Sequence, residues 1–409
     1  MTVIRFIFDS VREMFRGPRE YFIWLLALGL IVLFGIWRYS EQITEGLVVT
    51  GMSDQVSWGF YISNFAFLVG IAAAAVLLVI PAYIFDRKDV KDVVLVGEGM
   101  AVAAVTMAIL FVIADLGRPD RLWHMLPGIG RFHWPVSLLA WDVLVLSVYF
   151  LLNLAIPFYV LYSRYRGREP KFRLYFPFVV IAMFWAISIH TVTAFLFSAN
   201  PARPFWHTAL LGPRFIASAF ASGPALIIIT LQIVRKLTSY HVSQTVIDLL
   251  ALIMTTALQI SLFFVGAELF TDFYNEGAHA ASIHYLFFGL GGFSSLKAWI
   301  WFALALNLTA LVILMIHPLR RKTVMLNIAC VMTFIGIWIE KGMGLVIPGF
   351  VPTPLGEIFE YAPTSVELSV AAGIWAFGIL VFTLLAKAVI AVEQGKLSHQ
   401  SPQKQRYTL

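Results

Sequence analysis

The sequence predicts an all-α fold, a polytopic integral membrane protein of about ten transmembrane helices. Three observations carry that expectation. Of the 409 residues, 60% are hydrophobic and only 13% are charged, whereas a soluble domain is about one-quarter charged. The mean hydropathy is +0.84. Uncharged runs such as Gln55 to Phe85 far exceed the roughly ten-residue alternating segments of a membrane β-barrel. Together these exclude a soluble enzyme, a disordered chain and a fibrous repeat.

About 20 apolar residues cross a bilayer as a helix. That rule places spans at 20–38, 57–85, 92–115, 134–163, 173–198, 209–234, 243–270, 296–317, 322–340 and 365–390. The first follows a segment, 1–19, with four arginines, and no small-residue cleavage pattern follows it, so it reads as an anchor rather than a signal peptide. The second pairs small residues, Gly70 and Ala72 to Ala75, suited to close helix packing, with the polar Tyr61, Ser63 and Asn64. Gly117 and Pro119 stop the third, and Asp115 and Arg118, three apart, are expected to pair there. The fourth carries Asp142 about two turns inside its start, roughly 12 Å by helical rise. The fifth carries His190, and the sixth follows Trp206, His207 and Thr208 and contains Arg214. The seventh strings out Asp248, Thr255, Gln259 and Glu268. Ser282 to Ser295 is apolar and glycine-rich but too short to span, and reads as a re-entrant or interfacial piece before the eighth. The whole chain, 1–409, reads as one membrane domain, with helices 1–6 over 20–235, helices 7–10 over 236–396 and a polar tail over 397–409. No span is interrupted in matched halves, which argues against a secondary transporter.

The net charge of +6 does not imply nucleic acid, because the basic residues sit in short loops where they set topology. With the N-terminus inside, 21 Lys and Arg fall on the inner side and 8 on the outer, so both termini are expected in the cytoplasm. The lone cysteine, Cys330, is too few for an iron–sulfur cluster or covalent haem, and no metal is expected.

Ionisable groups inside spans are costly and mark function by default. Asp115, Asp142, His190, His207, Arg214, Glu268, Lys297, Glu340 and Glu367 fall toward the outer side, and Glu98 and Asp248 toward the inner. A carboxylate at the depth of Asp142 is partly desolvated, which suits a proton donor or acceptor. His124, His133 and His207 are expected at the level of His190. Trp123, Trp134, Phe205 and Trp206 read first as an interfacial belt and second as the lining of a planar ligand pocket.

The pieces Ser57-Trp58-Gly59-Phe60-Tyr61, Asp115-Leu116-Gly117-Arg118-Pro119, Ala140-Trp141-Asp142 and Ser188-Ile189-His190-Thr191-Val192 resemble the NrfD/polysulfide reductase C membrane subunits. Trp206-His207-Thr208 followed by Pro213-Arg214-Phe215-Ile216-Ala217 is similar to their ten-helix branch, which includes membrane subunits of alternative complex III and of the quinone reductase complex, the latter most alike. The resemblance implies two four-helix bundles with flanking helices, no redox metal or haem in this chain, and a bound quinone near an iron–sulfur partner. By position, Asp142 matches a Trp-Asp aspartate, His190 a Ser-Val-His-Thr histidine, and Asp115 stands where alternative complex III members have His. Those relatives have Phe-Asp-Phe where this chain has Phe195-Leu196-Phe197.

On that resemblance the expected activity is a menaquinone oxidoreductase subunit of the bacterial inner membrane, catalytic with its partners. Those would be a periplasmic ferredoxin-like iron–sulfur subunit and further molybdopterin-like and multihaem cytochrome subunits. Asp115, Asp142, His190 and His124 are the candidate catalytic residues. Arg118, Trp123, Tyr61, Trp58, Trp206, His207 and Arg214 are the candidate quinone contacts. Glu98, Asn64, Ser63, Thr106, Asp248, Gln259 and Glu268 are the candidate proton path. A di-haem b cytochrome, needing paired histidines at two depths, and a secondary transporter are the alternatives.

Overall fold

A computed structural model describes residues 2–126, 128–275 and 277–399. Most of the expected polar tail, 400–409, lies outside them. Among the described residues there is no β-strand, and ten helical segments are long and apolar enough to cross a membrane. Their order is α1 (Thr2–Met14), α2 (Arg19–Glu45), α3 (Phe60–Ala73), α4 (Val76–Tyr83), α5 (Lys88–Asp115), α6 (Leu138–Tyr165), α7 (Phe172–Ser198) and α8 (Leu211–Leu237). There follow α9 (Gln244–Asn275), α10 (Ala278–Phe287), α11 (Lys297–Met315), α12 (His317–Arg320), α13 (Thr323–Lys341), α14 (Met343–Val346) and α15 (Ser365–Glu393).

Two rings of four spans form. In the first, α3 packs on α5, α5 on α6, α6 on α7, and α7 back on α3. In the second, α8 packs on α9, α9 on α11, α11 on α13, and α13 back on α8. The rings meet where α8 lies against α3 and α7, and α2 and α15 pair on the outside against α5. Small residues make these approaches possible. A Cβ on Gly223 of α8 would fall 1.9 Å from Ala74, and one on Gly35 of α2 would fall 2.6 Å from the Gly373 backbone of α15.

Two spans are broken, at different points along their lengths. The second changes from α3 to α4 at Ala74–Ala75, where backbone bonds tighten to three-residue spacing. The ninth stops at Gly342, turns through α14, and ends in a 3₁₀ turn at Pro348–Phe350. Such breaks survive in a membrane only when protein covers them, and Ala74, Ala75, Leu345 and Val346 are all buried. The fourth span begins at Leu138, four residues later than expected, because Ser137 caps it by accepting from the Ala140 amide. The short segment before the eighth span is a helix from Ala278 to Phe287 closed by a Leu290–Phe293 bridge. Residues 2–14, expected only as a basic tail, form α1.

Alternation of the spans gathers the long connections, 46–59, 116–137, 199–210 and 342–364, at one end and the short turns at the other.

Candidate functional site

At the loop-rich end of the first ring, Asp142 lies just over one turn inside α6, 2% exposed. It accepts a 2.7 Å hydrogen bond from the Thr193 hydroxyl of α7. His190, three residues earlier on the same helix face, is 1% exposed. Its Nδ1 faces the Ala186 carbonyl at 3.2 Å and its Nε2 has no partner. A ring nitrogen facing a carbonyl is the protonated one, so Nε2 is left as a bare acceptor. Asp142 and His190 are thus both buried, linked through Thr193, which bonds the one and shares a face of α7 with the other. Such a pair can give or take protons. Lys341 of α13 lies within electrostatic reach of His190 across the junction of the rings. Sequence does not single out Thr193, because a threonine in a span is usually a packing residue.

The expected Asp115–Arg118 pair does not form. Once Gly117 and Pro119 end the helix, Arg118 turns outward and grips Asp120 through Nε and Nη2 at 3.0 and 2.9 Å. That contact lowers the Asp120 carboxyl below its ordinary range. Asp115 points inward instead. Its Oδ1 is buried without a partner, within electrostatic reach of Glu367 and Tyr61. Tyr61 donates to Gln42 Oε1 at 2.7 Å, and Gln42 donates to the Ala114 carbonyl at 2.7 Å. Glu367 caps α15 with Thr364, accepts from the Gly51 amide at 2.8 Å and takes the Tyr361 hydroxyl. Burial and that carboxylate raise the Tyr361 phenol well above its ordinary value.

The four aromatics expected at the rim divide by burial. Trp123 and Trp134 are exposed, but Phe205 and Trp206 are buried. Trp206 stacks on half-buried Trp58 at 5.7 Å, meets Phe197 and Phe350 edge-on, and donates to the Leu345 carbonyl at 2.8 Å. A Cβ on Gly349 would fall 1.9 Å from its ring. These rings are a packed lid over the break in the ninth span. Arg203 sits 4.6 Å above Phe350, and its partial burial lowers its pKa.

The four histidines do not form one cluster. His124 is exposed and stacked on Trp123 at 3.8 Å, and His133 is exposed. His207 is exposed, with Nδ1 on the Ser198 carbonyl at 2.8 Å. His190 lies eight residues before the end of α7, about 12 Å along it. Among the described residues it is the one buried histidine, so they do not supply the facing pairs that a di-haem site asks for. No group of three or more metal-ligating side chains forms among them either.

Arg214 belongs to the second ring. It binds Glu268 of α9 and Glu340 of α13, the latter at 3.0 Å. Asn307 of α11 donates to the other Glu340 oxygen at 3.2 Å, and Lys341 donates to the Phe215 carbonyl at 3.3 Å with its ammonium over that ring. A cavity of about 340 Å³ adjoins this network, lined by Phe205, His207, Thr208 and Glu268 among others.

The proton-path residues separate. Ser63 and Thr106 spend their hydroxyls on their own helices. Asn64 donates to the Phe60 carbonyl and accepts from both Trp338 and Trp375. Glu98 is buried with Oε2 unpartnered, beside a cavity of about 10 Å³ shared with Tyr149 and Asn153, about the size of one water. On α9, Asp248 and Gln259 are exposed while Thr255 and Glu268 are buried. Twenty residues at about 100° each put Glu268 nearly opposite Asp248, so the four do not share a column.

Comparison with known proteins adds the relationship. The family model described as polysulphide reductase, NrfD, matches residues 48–352. A dimethyl sulfoxide reductase membrane subunit of Halobacterium salinarum is 25% identical over 88% of both chains. An Hdr-like menaquinol oxidoreductase integral membrane subunit of Archaeoglobus fulgidus is 26% identical over 64% of this chain and 63% of its own. The integral membrane subunit of a menaquinone reductase from Nitratidesulfovibrio vulgaris is 22% identical over 89% of this chain and 90% of its own.

Proposed function

The chain belongs to the polysulphide reductase NrfD family of multi-pass membrane subunits, and we propose that it binds menaquinone for a respiratory oxidoreductase. In that reading, electrons pass between menaquinone and an iron–sulfur subunit docked on the loop-rich end, which faces the periplasm. Both termini then lie in the cytoplasm, as the basic residues of the short turns favour, and the membrane is a bacterial inner membrane. Molybdopterin-like and multihaem subunits would complete the complex.

The observation that carries the reading is the buried Asp142–Thr193 pair beside the unpartnered His190 Nε2. Menaquinone here is substrate. Its reduction takes two electrons and two protons. A quinone carbonyl accepts a hydrogen bond, and the protonated Asp142 is a donor. A quinol hydroxyl donates one, and His190 Nε2 is an acceptor. Thr193 holds the Asp142 carboxyl in place for both. Asp115, released from Arg118 and joined electrostatically to Glu367 and Tyr61, is the second acid at that end. Glu98, with its water-sized neighbour space, is the candidate entry from the short-turn end. Proton uptake there would make turnover electrogenic, and a turnover assay in liposomes that develops no membrane potential removes Glu98 from the route.

Asp142→Asn in the assembled complex is expected to cut menaquinol-analogue turnover about 100-fold or more, the usual contribution of a positioned acid or base. Turnover within twofold of the parent overturns the assignment. The cavity beside His207 favours a second placement of the headgroup. If His207→Gln raises KM while His190→Gln leaves both constants unchanged, the headgroup sits in that cavity instead.

A further inference from the structure

The first helix is divided into three arcs. At about 100° per residue, Val3, Ile4, Ile7, Phe8 and Val11 share one side, and Phe15 follows at the helix end; all are exposed, Ile4 by 73% and Phe8 by 66%. Arg5 and Arg12 occupy the next arc, Arg16 follows just past the end of the helix, and all three are exposed. The third arc faces protein. There Phe6 is buried against Phe158, Tyr162 and Tyr165, with ring centroids 5.1–5.7 Å apart, Ser10 is buried, and Asp9 takes the Tyr165 hydroxyl at 2.5 Å. Six exposed apolar side chains in 13 residues cannot face water cheaply.

The corner after α1 is fixed. Tyr21 donates to the Met14 carbonyl at 2.6 Å, and a Cβ on Gly17 would fall 2.6 Å from the Tyr21 ring. Beyond the corner, Phe22, Ile23 and Leu26 of α2, on the outer face of a span, are exposed as well. The exposed apolar faces of α1 and α2 thus flank one fixed corner, and the cover of a spanning α2 is lipid. The charges complement that cover. Arg5 and Arg16 keep only loose helical pairs, at 3.8 and 3.7 Å. Arg12 and Arg19 have no ion pair among the described residues, and Lys387 sits 3.9 Å above the Tyr21 ring.

We propose that α1 is an in-plane membrane helix, its apolar arc among the acyl chains and its arginine arc holding anionic phospholipid headgroups. An apolar face flanked by basic residues is the signature of such a helix. Two measurements on the full-length chain in nanodiscs test it. Spin labels at Phe8→Cys and Arg12→Cys, read against the buried Cys330, report depth. The label at position 8 is expected to be reached by oxygen and shielded from a water-soluble nickel chelate, and the label at position 12 the reverse. Nickel access at position 8 overturns the in-plane placement. Shielding from both quenchers overturns it too, because a partner protein then covers the face. Second, fluorescent phosphatidylglycerol is titrated into phosphatidylcholine nanodiscs holding the parent or Arg5→Gln/Arg12→Gln/Arg16→Gln. Affinity is expected to fall about fivefold per charge removed. Unchanged affinity, or equal affinity for phosphatidylcholine, overturns the headgroup site.

Discussion

The two four-helix rings bury similar numbers of ionisable groups in opposite states. In the second ring, the carboxylates of Glu268 and Glu340 both meet Arg214, and Asn307 supports Glu340. In the first, among the described residues, Glu98 Oε2, Asp115 Oδ1 and His190 Nε2 have no hydrogen-bond partner, and Asp142 has a hydroxyl and no ion pair. An acid locked to an arginine keeps its charge and holds helices in register. An acid with no cation breaks no ion pair when its protonation changes, although burial penalises its charged form. The acids of the second ring are held by an arginine and those of the first are not, although both rings are cut from the same kind of apolar helix.

The strongest way to break that contrast is to remove Arg214. Arg214→Met removes the cation that bridges two buried carboxylates, and loss of one partner from a buried pair costs about 3–5 kcal/mol. The second ring is expected to unfold, or to show a clearly lowered midpoint, in a detergent thermal melt. Asp142→Asn, by contrast, should leave the melt unchanged while turnover falls by about 3 kcal/mol of activation free energy. If the two variants behave alike, the contrast fails. Gly223→Ala probes the seam between the rings. Its methyl would overlap Ala74, and overpacking of that kind costs about 1–3 kcal/mol, to be seen as a lowered melting temperature. Thr193→Val sharpens the first ring's role. It removes the hydroxyl that donates to Asp142, at about 1 kcal/mol, and should move the pH profile of turnover while assembly is kept. The smallest effect is expected from Arg118→Gln. Its pair with Asp120 is exposed, so the melt should not move, and any fall in turnover would report docking or quinone contact rather than folding.

Much of this is legible in the sequence, and the failures have physical reasons. Hydropathy locates all ten spans, since the cost of unpaired backbone in lipid leaves helices little freedom. The rule of three-residue spacing fails at Asp115 and Arg118 because it holds only inside a helix, and Gly117 and Pro119 have ended it. Trp206 reads as a belt residue because composition does not tell a rim aromatic from one seated under a broken helix. Glu340 and Lys341 both satisfy the rule that charges in spans are functional, yet Lys341 enters the sequence reading only through the orientation of the loops. The periodicity of Ile4, Phe8, Val11 and Phe15 is open to view, but the segment is too short and too basic to score as a span.

The order of the spans, their apolar faces and the end at which polar residues collect are properties of the chain alone, because each follows from local spacing and transfer free energy. Which acid found a cation and which did not was decided only when α8 crossed onto α9 and α13, and α6 onto α7. Partners far apart in sequence meet by packing geometry, and nothing in the order of residues along one helix encodes what the neighbouring helix presents to it.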